Sequence, residues 1–543
     1  MLFYKKILKK KDSFFKYALS IVFLTIGFGL SAQEPQLLKD IYPGTGFSNP
    51  YGYIVHNNKV YFGADDGENG WELWVSDGDE TGTYMVKNIN PSGFSSPTFL
   101  GVFDGRLYFN ADDGTHGQEL WVTDGTEGGT YMVKDINTTG VEDYYPAENP
   151  IVYNDKLYFS ANDGVHGFEL WVTDGTEDGT QMVKDINSGA ADSNPVGFIH
   201  YNDKLYFGAG NDIHGRELWV TDGTEDGTHM IKDINSGLGD SAPSYFVKYD
   251  GKLFFRADDG FHGVELWATD GTEESTNMIK DINPGASGSL LRELRNFNNK
   301  IYFYAFDENE EVDIWTSDGT EENTQPLGVD NLNNSPQNFT QFNDKLFFVA
   351  NGGGSPGGAL WISDGTTEGT YAFIQEVSYP KSFVVDGNGQ MMYFISNNEN
   401  IWVTDGTIEG TTVIIPEGQD LPHIDPSIQT HSLTVFNNKI YYTACYFLDH
   451  GCEPYFIDSS LSLTEIETET VQYWPNPFTN ELHIKANNPI EQINIYSLRG
   501  QNVKGFQLFS LSQTLNLSDL PVGIYFIEIT TTTGKTVKKV VKK

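Results

Sequence analysis

One eight-residue motif recurs along most of the chain and restricts its fold more than any other feature. The tryptophans of its first eight copies lie 41 to 50 residues apart. The copies are ELWVSDGD at 72, ELWVTDGT at 119, 169 and 217, ELWATDGT at 265, DIWTSDGT at 313, ALWISDGT at 359, NIWVTDGT at 400 and a degenerate EPYFID at 453. Self-similarity at this period is typical of chains built from repeated supersecondary units.

Each copy reads as four short β-strands. In the copy at 149–187 the apolar runs are PIVY, KLYFSA, FELWVT and TQMVKDI. Asn154 and Asp155, between the first two runs, suit a two-residue hairpin turn, and the Asp-Gly-Thr segment supplies another turn before the fourth run. Each repeat is therefore predicted to be a four-stranded antiparallel meander.

The predicted fold class is all-β: a β-propeller of eight or nine four-stranded blades followed by a small C-terminal β-sandwich. The KLYFSA run is apolar on both alternating faces, which suits blades stacked face to face. Residues 36–41, QLLKDI, resemble the fourth strand of a repeat although they precede the first full copy. We expect this segment to complete the last blade and close the ring.

A secretory signal peptide is predicted at residues 1–32. Six lysines precede the apolar run ALSIVFLTIGFGL at 18–30, and Ser31 and Ala32 follow it. The run is shorter than the roughly 20 residues that span a bilayer, and no second run follows. The mature chain is expected to contain no transmembrane segment.

Export to an oxidising compartment makes a disulfide between Cys445 and Cys452 the favoured interpretation of the two cysteines. The alternative is a metal site that includes His450, although a zinc site needs more soft ligands.

The charge of the chain excludes some partners. It carries 75 acidic and 34 basic residues, a net charge of −41 at pH 7. Such a surface repels nucleic-acid phosphates and anionic membranes. Because 38% of residues are hydrophobic and 14% aromatic, the chain is nevertheless able to bury a large core.

From about residue 466 the repeat ends and the charge changes sign, with eight basic and six acidic residues up to the C-terminus. This segment contains YWPNPF at 473, INIYSLRGQNV at 493, LNLSDLPVGIYFIEI at 515 and a terminal KTVKKVVKK. Alternating strands between Pro and Gly turns predict a small sandwich.

Two resemblances follow from these motifs. The repeats of 33–465 resemble the secreted bacterial ELWxxDGT repeat proteins, which implies architecture more than activity. The order of motifs in 466–543 resembles the type A C-terminal sorting domain of the type IX secretion system of Bacteroidetes, with Trp474 where Tyr is commoner. The second resemblance implies the type IX machinery as a partner and a secreted or outer-membrane-surface location. The alternative is an ordinary β-sandwich adhesion module.

The loop between the second and third strands of a repeat is the first candidate site, because it should share a face with the blade-to-blade crossover. Carboxylates in Gly-bent loops suit a hard cation such as calcium, and histidines suit a transition metal. The alternative is that each Asp and His hydrogen-bonds its own loop. The candidate residues here are His116, His166, His214, His262, Asp112, Asp113, Asp163, Asp258 and Asp259.

Three loops depart from the repeat and form the second candidate site, since irregular loops on a rigid scaffold often bind ligands. They are DENEEVD at 307–313, NGGGSPGG at 351–358 and PEGQDLPHIDPSIQTHS at 416–432. Asp307, Glu308 and Glu310 are candidate metal ligands, and His423, Asp425 and His431 are candidates for ligand binding.

Familiar catalytic motifs are missing from the sequence: it has no HExxH helix or phosphate-binding glycine loop. No catalytic residue is assigned. The predicted function is a secreted or surface binding or adhesion module for an extracellular glycan or protein. The alternatives are a polysaccharide-degrading enzyme, which the many carboxylates would allow, and a calcium-stabilised structural surface protein.

Overall fold

The structure, a computed structural model, divides into two compact units, Met1–Ser459 and Ser460–Lys543. It describes residues 35–139, 150–329, 332–352, 355–396, 400–408, 410–414, 424, 433–446, 450–458, 471–497, 502–531 and 535–543. The predicted signal peptide at 1–32 lies outside the described residues. No helix among the residues that are described has the length and hydropathy needed to cross a membrane.

The described residues of the first unit form nine four-stranded antiparallel sheets, so the eight-or-nine prediction resolves to nine blades. The strands of a blade are called A to D in pairing order. Blade 1 contains β2 (Tyr51–His56), β3 (Lys59–Asp65), β4 (Trp71–Ser76) and β5 (Tyr84–Lys87). Blade 2 contains β6 (Thr98–Phe103), β7 (Arg106–Asp112), β8 (Gln118–Thr123) and β9 (Tyr131–Lys134). Blade 3 contains β10 (Ile151–Tyr153), β11 (Lys156–Asn162), β12 (Phe168–Thr173) and β13 (Gln181–Lys184).

Blades 4 to 6 follow the same order. Blade 4 contains β14 (Val196–Tyr201), β15 (Lys204–Asn211), β16 (Gly215–Thr221) and β17 (His229–Lys232). Blade 5 contains β18 (Ser244–Tyr249), β19 (Lys252–Asp258), β20 (Val264–Thr269) and β21 (Asn277–Lys280). Blade 6 contains β22 (Arg292–Phe297), β23 (Lys300–Phe306), β24 (Val312–Ser317) and β25 (Gln325–Pro326).

The last three blades are less regular in strand length. Blade 7 contains β26 (Asn333–Phe342), β27 (Lys345–Gly352), β28 (Ser355–Ser363) and β29 (Tyr371–Ser378). Blade 8 contains β30 (Lys381–Val385), β31 (Met392–Ile395), β32 (Ile401–Thr404) and β33 (Thr412–Val413). Blade 9 contains β34 (Thr434–Phe436), β35 (Lys439–Tyr446), β36 (Gly451–Asp458) and, as its D strand, β1 (Gln36–Leu37).

The N-terminal segment therefore closes the ring, as its resemblance to a fourth strand predicts. Gln36 lies opposite Phe456 in an antiparallel pair, and the Leu38 amide donates to the Pro454 carbonyl at 2.9 Å. Leu38 and Ile41 are buried among side chains of blades 9 and 1. Closure covers a sheet edge that would otherwise be free to pair with another chain.

Apolar side chains pack between neighbouring blades. Between blades 3 and 4, Tyr158 and Leu170 contact Leu205, Phe207 and Trp219 in one buried cluster. Both alternating sets of residues in the B and C strands are buried, because each sheet is covered on both faces. The A strands of neighbouring blades contact one another, which places them at the centre of the ring.

The hairpin turns have the predicted chemistry. Asn154 and Asp155 adopt φ of 47° and 53°, the left-handed values that a type I′ turn requires. Asn202 and Asp203 take the same place in blade 4 with φ of 46° and 55°.

Cys445 and Cys452 lie opposite each other on β35 and β36 and are joined in a disulfide, with their Cα atoms 3.9 Å apart.

The second unit is one curled five-stranded sheet around its own apolar core. Its strands are β37 (Gln472–Trp474), β38 (Glu481–Ser497), β39 (Asn502–Asn516), β40 (Gly523–Thr531) and β41 (Lys535–Lys542). The long β38 pairs with β39 along its length, with β37 near its start and with β40 near its end. The side chain of Asn476, in the YWPNPF motif, is hydrogen-bonded to the last strand. Its Nδ2 donates to the Lys539 carbonyl, and its Oδ1 accepts from the Val541 amide.

Candidate functional site

The loops that join strands B and C lie beside the crossovers between blades, and together they form what we call the crossover face. In blade 4 the Asn187 side-chain carbonyl, on the preceding crossover, accepts a hydrogen bond from the Asp212 amide at 3.0 Å. In blade 5 the Gly260 position lies against the Asn235 side chain of its crossover. The face predicted to carry the histidine loops is therefore a continuous surface of two kinds of loop.

An aspartate and a histidine hold the BC loop in blades 2, 3 and 5. In blade 2 one Asp113 oxygen accepts from the Thr115 and His116 amides, both at 2.9 Å. The other oxygen lies 2.7 Å from His116 Nδ1. The same contacts, within 0.1 Å, join Asp163 to His166 and Asp259 to His262.

These pairs shift both partners toward their charged forms. Partial burial acts to raise the pKa of Asp113, but the hydrogen bonds from His116 and Thr115 outweigh it and leave that pKa below its ordinary value. The hydrogen bond to Asp113 raises the pKa of His116. The Asp and His of each pair thus form hydrogen bonds within their own loop, which is the alternative given for these residues in the sequence analysis.

In blades 1, 4 and 6 other residues take the place of the Asp–His pair. In blade 4, Asn211 accepts from the His214 amide, and His214 Nδ1 lies 3.0 Å from Asp233 on the crossover. In blade 1, Asn69 replaces the histidine and donates to Asp66 at 2.7 Å. In blade 6, Asp307 accepts from the Asn309 and Glu311 amides. These hydrogen bonds hold each loop in place.

The predicted cation ligands are distributed over separate blades. Asp112 and Asp258 each accept from the glycine amide two residues later, at 2.7 Å. Glu308 and Glu310 lie in the exposed blade 6 loop. Within the described ranges no group of three or more His, Cys, Asp or Glu side chains is placed to share a metal ion. Calcium binding stays a prediction.

The glutamate that opens the motif lies inside the sheet, where sequence reasoning did not place it. Glu217 is fully buried and accepts from the amides of Ile234 (2.9 Å) and Asn235 (3.1 Å) and from the Ser241 hydroxyl (2.6 Å). Glu217 lies on strand C, so these hydrogen bonds connect strand C to the crossover that follows strand D. An acidic residue within an apolar strand was the available signal.

The same fastening recurs in most blades. The buried glutamates are Glu72, Glu119, Glu169, Glu217, Glu265 and Glu453. Glu453 binds the N-terminal segment, accepting from the Ile41 amide at 2.9 Å and the Ser48 hydroxyl at 2.6 Å. Burial raises the pKa of Glu119, Glu217 and Glu265 to about 7 and that of Glu453 to about 8.

The Asp-Gly-Thr part of the motif also builds the blade. In blade 2, Thr126 donates to Asp124, and Thr123 and Thr130 share a hydrogen bond of 2.7 Å across the turn. Lys87 of blade 1 donates to the Thr130 carbonyl of blade 2 at 2.7 Å. The motif residues thus join strands and blades.

The residues at the tips of the loops on the crossover face differ between blades, and in blades 3, 4 and 5 they are apolar. Val165, Ile213 and Phe261 hold equivalent loop-tip positions and are 59%, 70% and 77% exposed. Leu238, on the crossover between blades 4 and 5, is 75% exposed. His423, Asp425 and His431 lie outside the described residues, as does part of the 351–358 loop.

Comparison with known proteins identifies the C-terminal segment. Residues 472–543 match the family described as the secretion system C-terminal sorting domain. This match confirms the sorting domain predicted at the C-terminus and supports export to the cell surface or the extracellular space. No curated protein matches the chain.

Solved structures resemble the chain at low identity. A puromycin hydrolase is 11% identical, with a TM-score of 0.36 over 64% of this chain and 58% of the hydrolase, so the match spans little more than half of that protein. PorZ, a surface component of the type IX secretion system of Porphyromonas gingivalis, is 11% identical over 91% of this chain and 86% of PorZ, with a TM-score of 0.23. An oligogalacturonate lyase from Vibrio parahaemolyticus is 11% identical over 76% of this chain and 99% of the lyase, with a TM-score of 0.36.

Proposed function

We propose that this protein is exported by the type IX secretion machinery and acts outside the cell as a binding or adhesion module for an extracellular glycan. The observation that supports it is the match of residues 472–543 to a sorting domain, in a chain whose first unit is a ring of nine blades. Residues 33–465 would be the working part, and 466–543 the export signal.

The crossover face supports a binding role. Its loops are held by Asp–His pairs and by buried glutamates, so their tips have fixed positions. The tips themselves change from Thr115 to Val165, Ile213 and Phe261 in successive blades. Exposed apolar groups on a rigid polar surface are typical of interaction sites, because they gain free energy when a partner covers them.

Affinity electrophoresis tests the proposal. The purified protein would migrate through native gels that contain single polysaccharides, with and without calcium. Retardation in at least one gel, without loss of the embedded glycan, is expected for a binding module. Clearing of the glycan would instead establish an enzyme, and unchanged migration in a broad panel would contradict glycan binding.

A further inference from the structure

Arginine side chains are concentrated at one place on the inner rim of the ring. Of the five arginines in the repeat region, Arg256, Arg292 and Arg295 belong to blades 5 and 6. Arg256 and Arg292 occupy the crossover end of the innermost strand pairs, opposite Ser244 and Tyr304 respectively. The equivalent pairs in other blades are uncharged: Tyr51 with Gly63, Thr98 with Asn110 and Val196 with Gly208.

Arg256 is held in place by neutral groups. Its Nε donates to the Ser244 hydroxyl at 2.9 Å, and one terminal nitrogen donates to the Leu291 carbonyl, just before blade 6, at 3.2 Å. Its guanidinium carbon lies 5.0 Å from the centre of the Tyr245 ring. These contacts use two of the five guanidinium N–H donors and fix the direction of the others.

No carboxylate among the described residues pairs with Arg256 or Arg292, although acidic residues outnumber basic ones by 75 to 34. Arg295, by contrast, lies 3.6 Å from Glu293. Partial burial lowers the pKa of Arg256, and the positive charge of Arg292 acts in the same direction. A half-buried guanidinium beside a second, exposed one is destabilised unless an anion joins them.

The backbone beside the pair is left-handed, as it is at the equivalent position of other blades. Tyr245 adopts φ of 55°, Gly52 and Gly197 adopt 70°, and Glu293, Asn338 and Ser382 adopt 61°, 59° and 56°. What distinguishes blade 5 is that the side chain at this position, the Tyr245 ring, lies against Arg256.

We propose that Arg256 and Arg292 bind a single anionic group, a carboxylate or a sulfate, on a sugar of an extracellular glycan. The proposal rests on the proposed glycan-binding function and names its substrate class. Guanidiniums bind such groups through paired N–H donors, and Arg256 retains the donors that Ser244 and Leu291 do not accept from. The net charge of −41 repels a dense polyanion, so isolated acidic sugars within a neutral chain fit best.

Calorimetry with the full chain tests the site. The probes are sodium D-glucuronate, glucose 6-sulfate, D-glucose as the uncharged match and a glutamate-rich peptide. We expect glucuronate or the sulfate to bind, glucose and the peptide not to bind, and affinity to fall with added salt. Arg256→Gln and Arg292→Gln should each weaken binding about tenfold or more, equivalent to about 1.4 kcal/mol.

Arg106→Gln is the matched control, since Arg106 lies in blade 2 and donates to Tyr131 at 2.8 Å. Arg292 is exposed, so Arg292→Gln should fold even if Arg256→Gln does not. Equal affinity of Arg292→Gln and the unchanged protein would overturn the proposal, as would binding of the peptide alone. If neither anion binds but a neutral polysaccharide retards the protein in gels, this site is disproved and the proposed function stands.

Discussion

At the residue scale, the motif residues act through contacts that the sequence does not display. Gly223 of the blade 4 motif has φ of 95°, and a Cβ added there would lie 2.2 Å from the Tyr158 hydroxyl of blade 3. The glycine is required both for its backbone conformation and for the approach of the neighbouring blade.

Gly223→Ala should therefore destabilise the protein by about 2–4 kcal/mol, the sum of a strained φ and a steric overlap. Gly251→Ala is the matched control, because Gly251 has φ of 69° but no atom within 4 Å of an added Cβ. It should lose only about 1 kcal/mol. Adding Tyr158→Phe to Gly223→Ala should recover part of the loss in urea unfolding, and failure to recover any would refute the steric explanation.

The buried glutamates make stability depend on pH. Burial raises the pKa of Glu119, Glu217 and Glu265 from 4.5 to about 7, so between these values the folded chain binds more protons than the unfolded chain. Their contribution to stability should be fully present below about pH 4.5 and should be lost as the pH rises from there through about 7.

Melting temperatures at pH 5, 6, 7 and 8 measure this dependence. The decrease should persist in 0.5 M salt, which screens repulsion between surface charges but not the buried groups. Glu217→Gln, which removes one titrating carboxyl, should flatten the slope, whereas the exposed Glu225→Gln should leave it unchanged. A melting temperature that rises from pH 5 to 8 would contradict this account.

At the element scale, the strand pattern was predictable because each copy repeats the same turn residues and apolar runs. The number of blades was not, because the ninth copy, EPYFID at 453, is degenerate. Blade 8 has a D strand of two residues, Thr412–Val413, and blade 9 borrows its D strand from the N-terminus. Only pairing of β1 with β36 identifies the ninth blade as complete.

Closure by β1 should contribute measurably to stability. Leu38 is 2% exposed and packs between blades 9 and 1, so Leu38→Ala should destabilise the protein by about 2–5 kcal/mol in urea unfolding. Gln36→Ala, at an exposed position of the same strand, should change stability by less than about 0.5 kcal/mol. Equal effects of the two substitutions would show that the segment does not close the ring.

The candidate site was predictable only in part, for reasons of distance along the chain. The Asp–His loops are local, so their spacing of three residues was visible in the sequence. Arg256 and Arg292 are 36 positions apart and meet only because consecutive blades lie side by side. The burial of the glutamates was not predicted, because it depends on hydrogen-bond partners that lie 17 to 24 residues away along the chain in the case of Glu217.

At the scale of the whole molecule, the two units differ in charge and in architecture. The ring carries nearly all of the excess negative charge, whereas the segment from 466 carries eight basic and six acidic residues. The ring leaves only the short edge strands of its blades, and its acidic surface favours solubility, which suits a protein exported from the cell.

The most direct test of the account is the location of the protein in a bacterium with a type IX secretion system. Full-length protein and a variant that ends at residue 465 would be expressed with an epitope tag in the ring, and protease would be added to intact cells. We predict that the full-length protein is found on the surface or in the medium, and that the shortened variant is protected inside the envelope. Equal surface exposure of both, or retention of the full-length protein inside, would contradict export through the C-terminal unit.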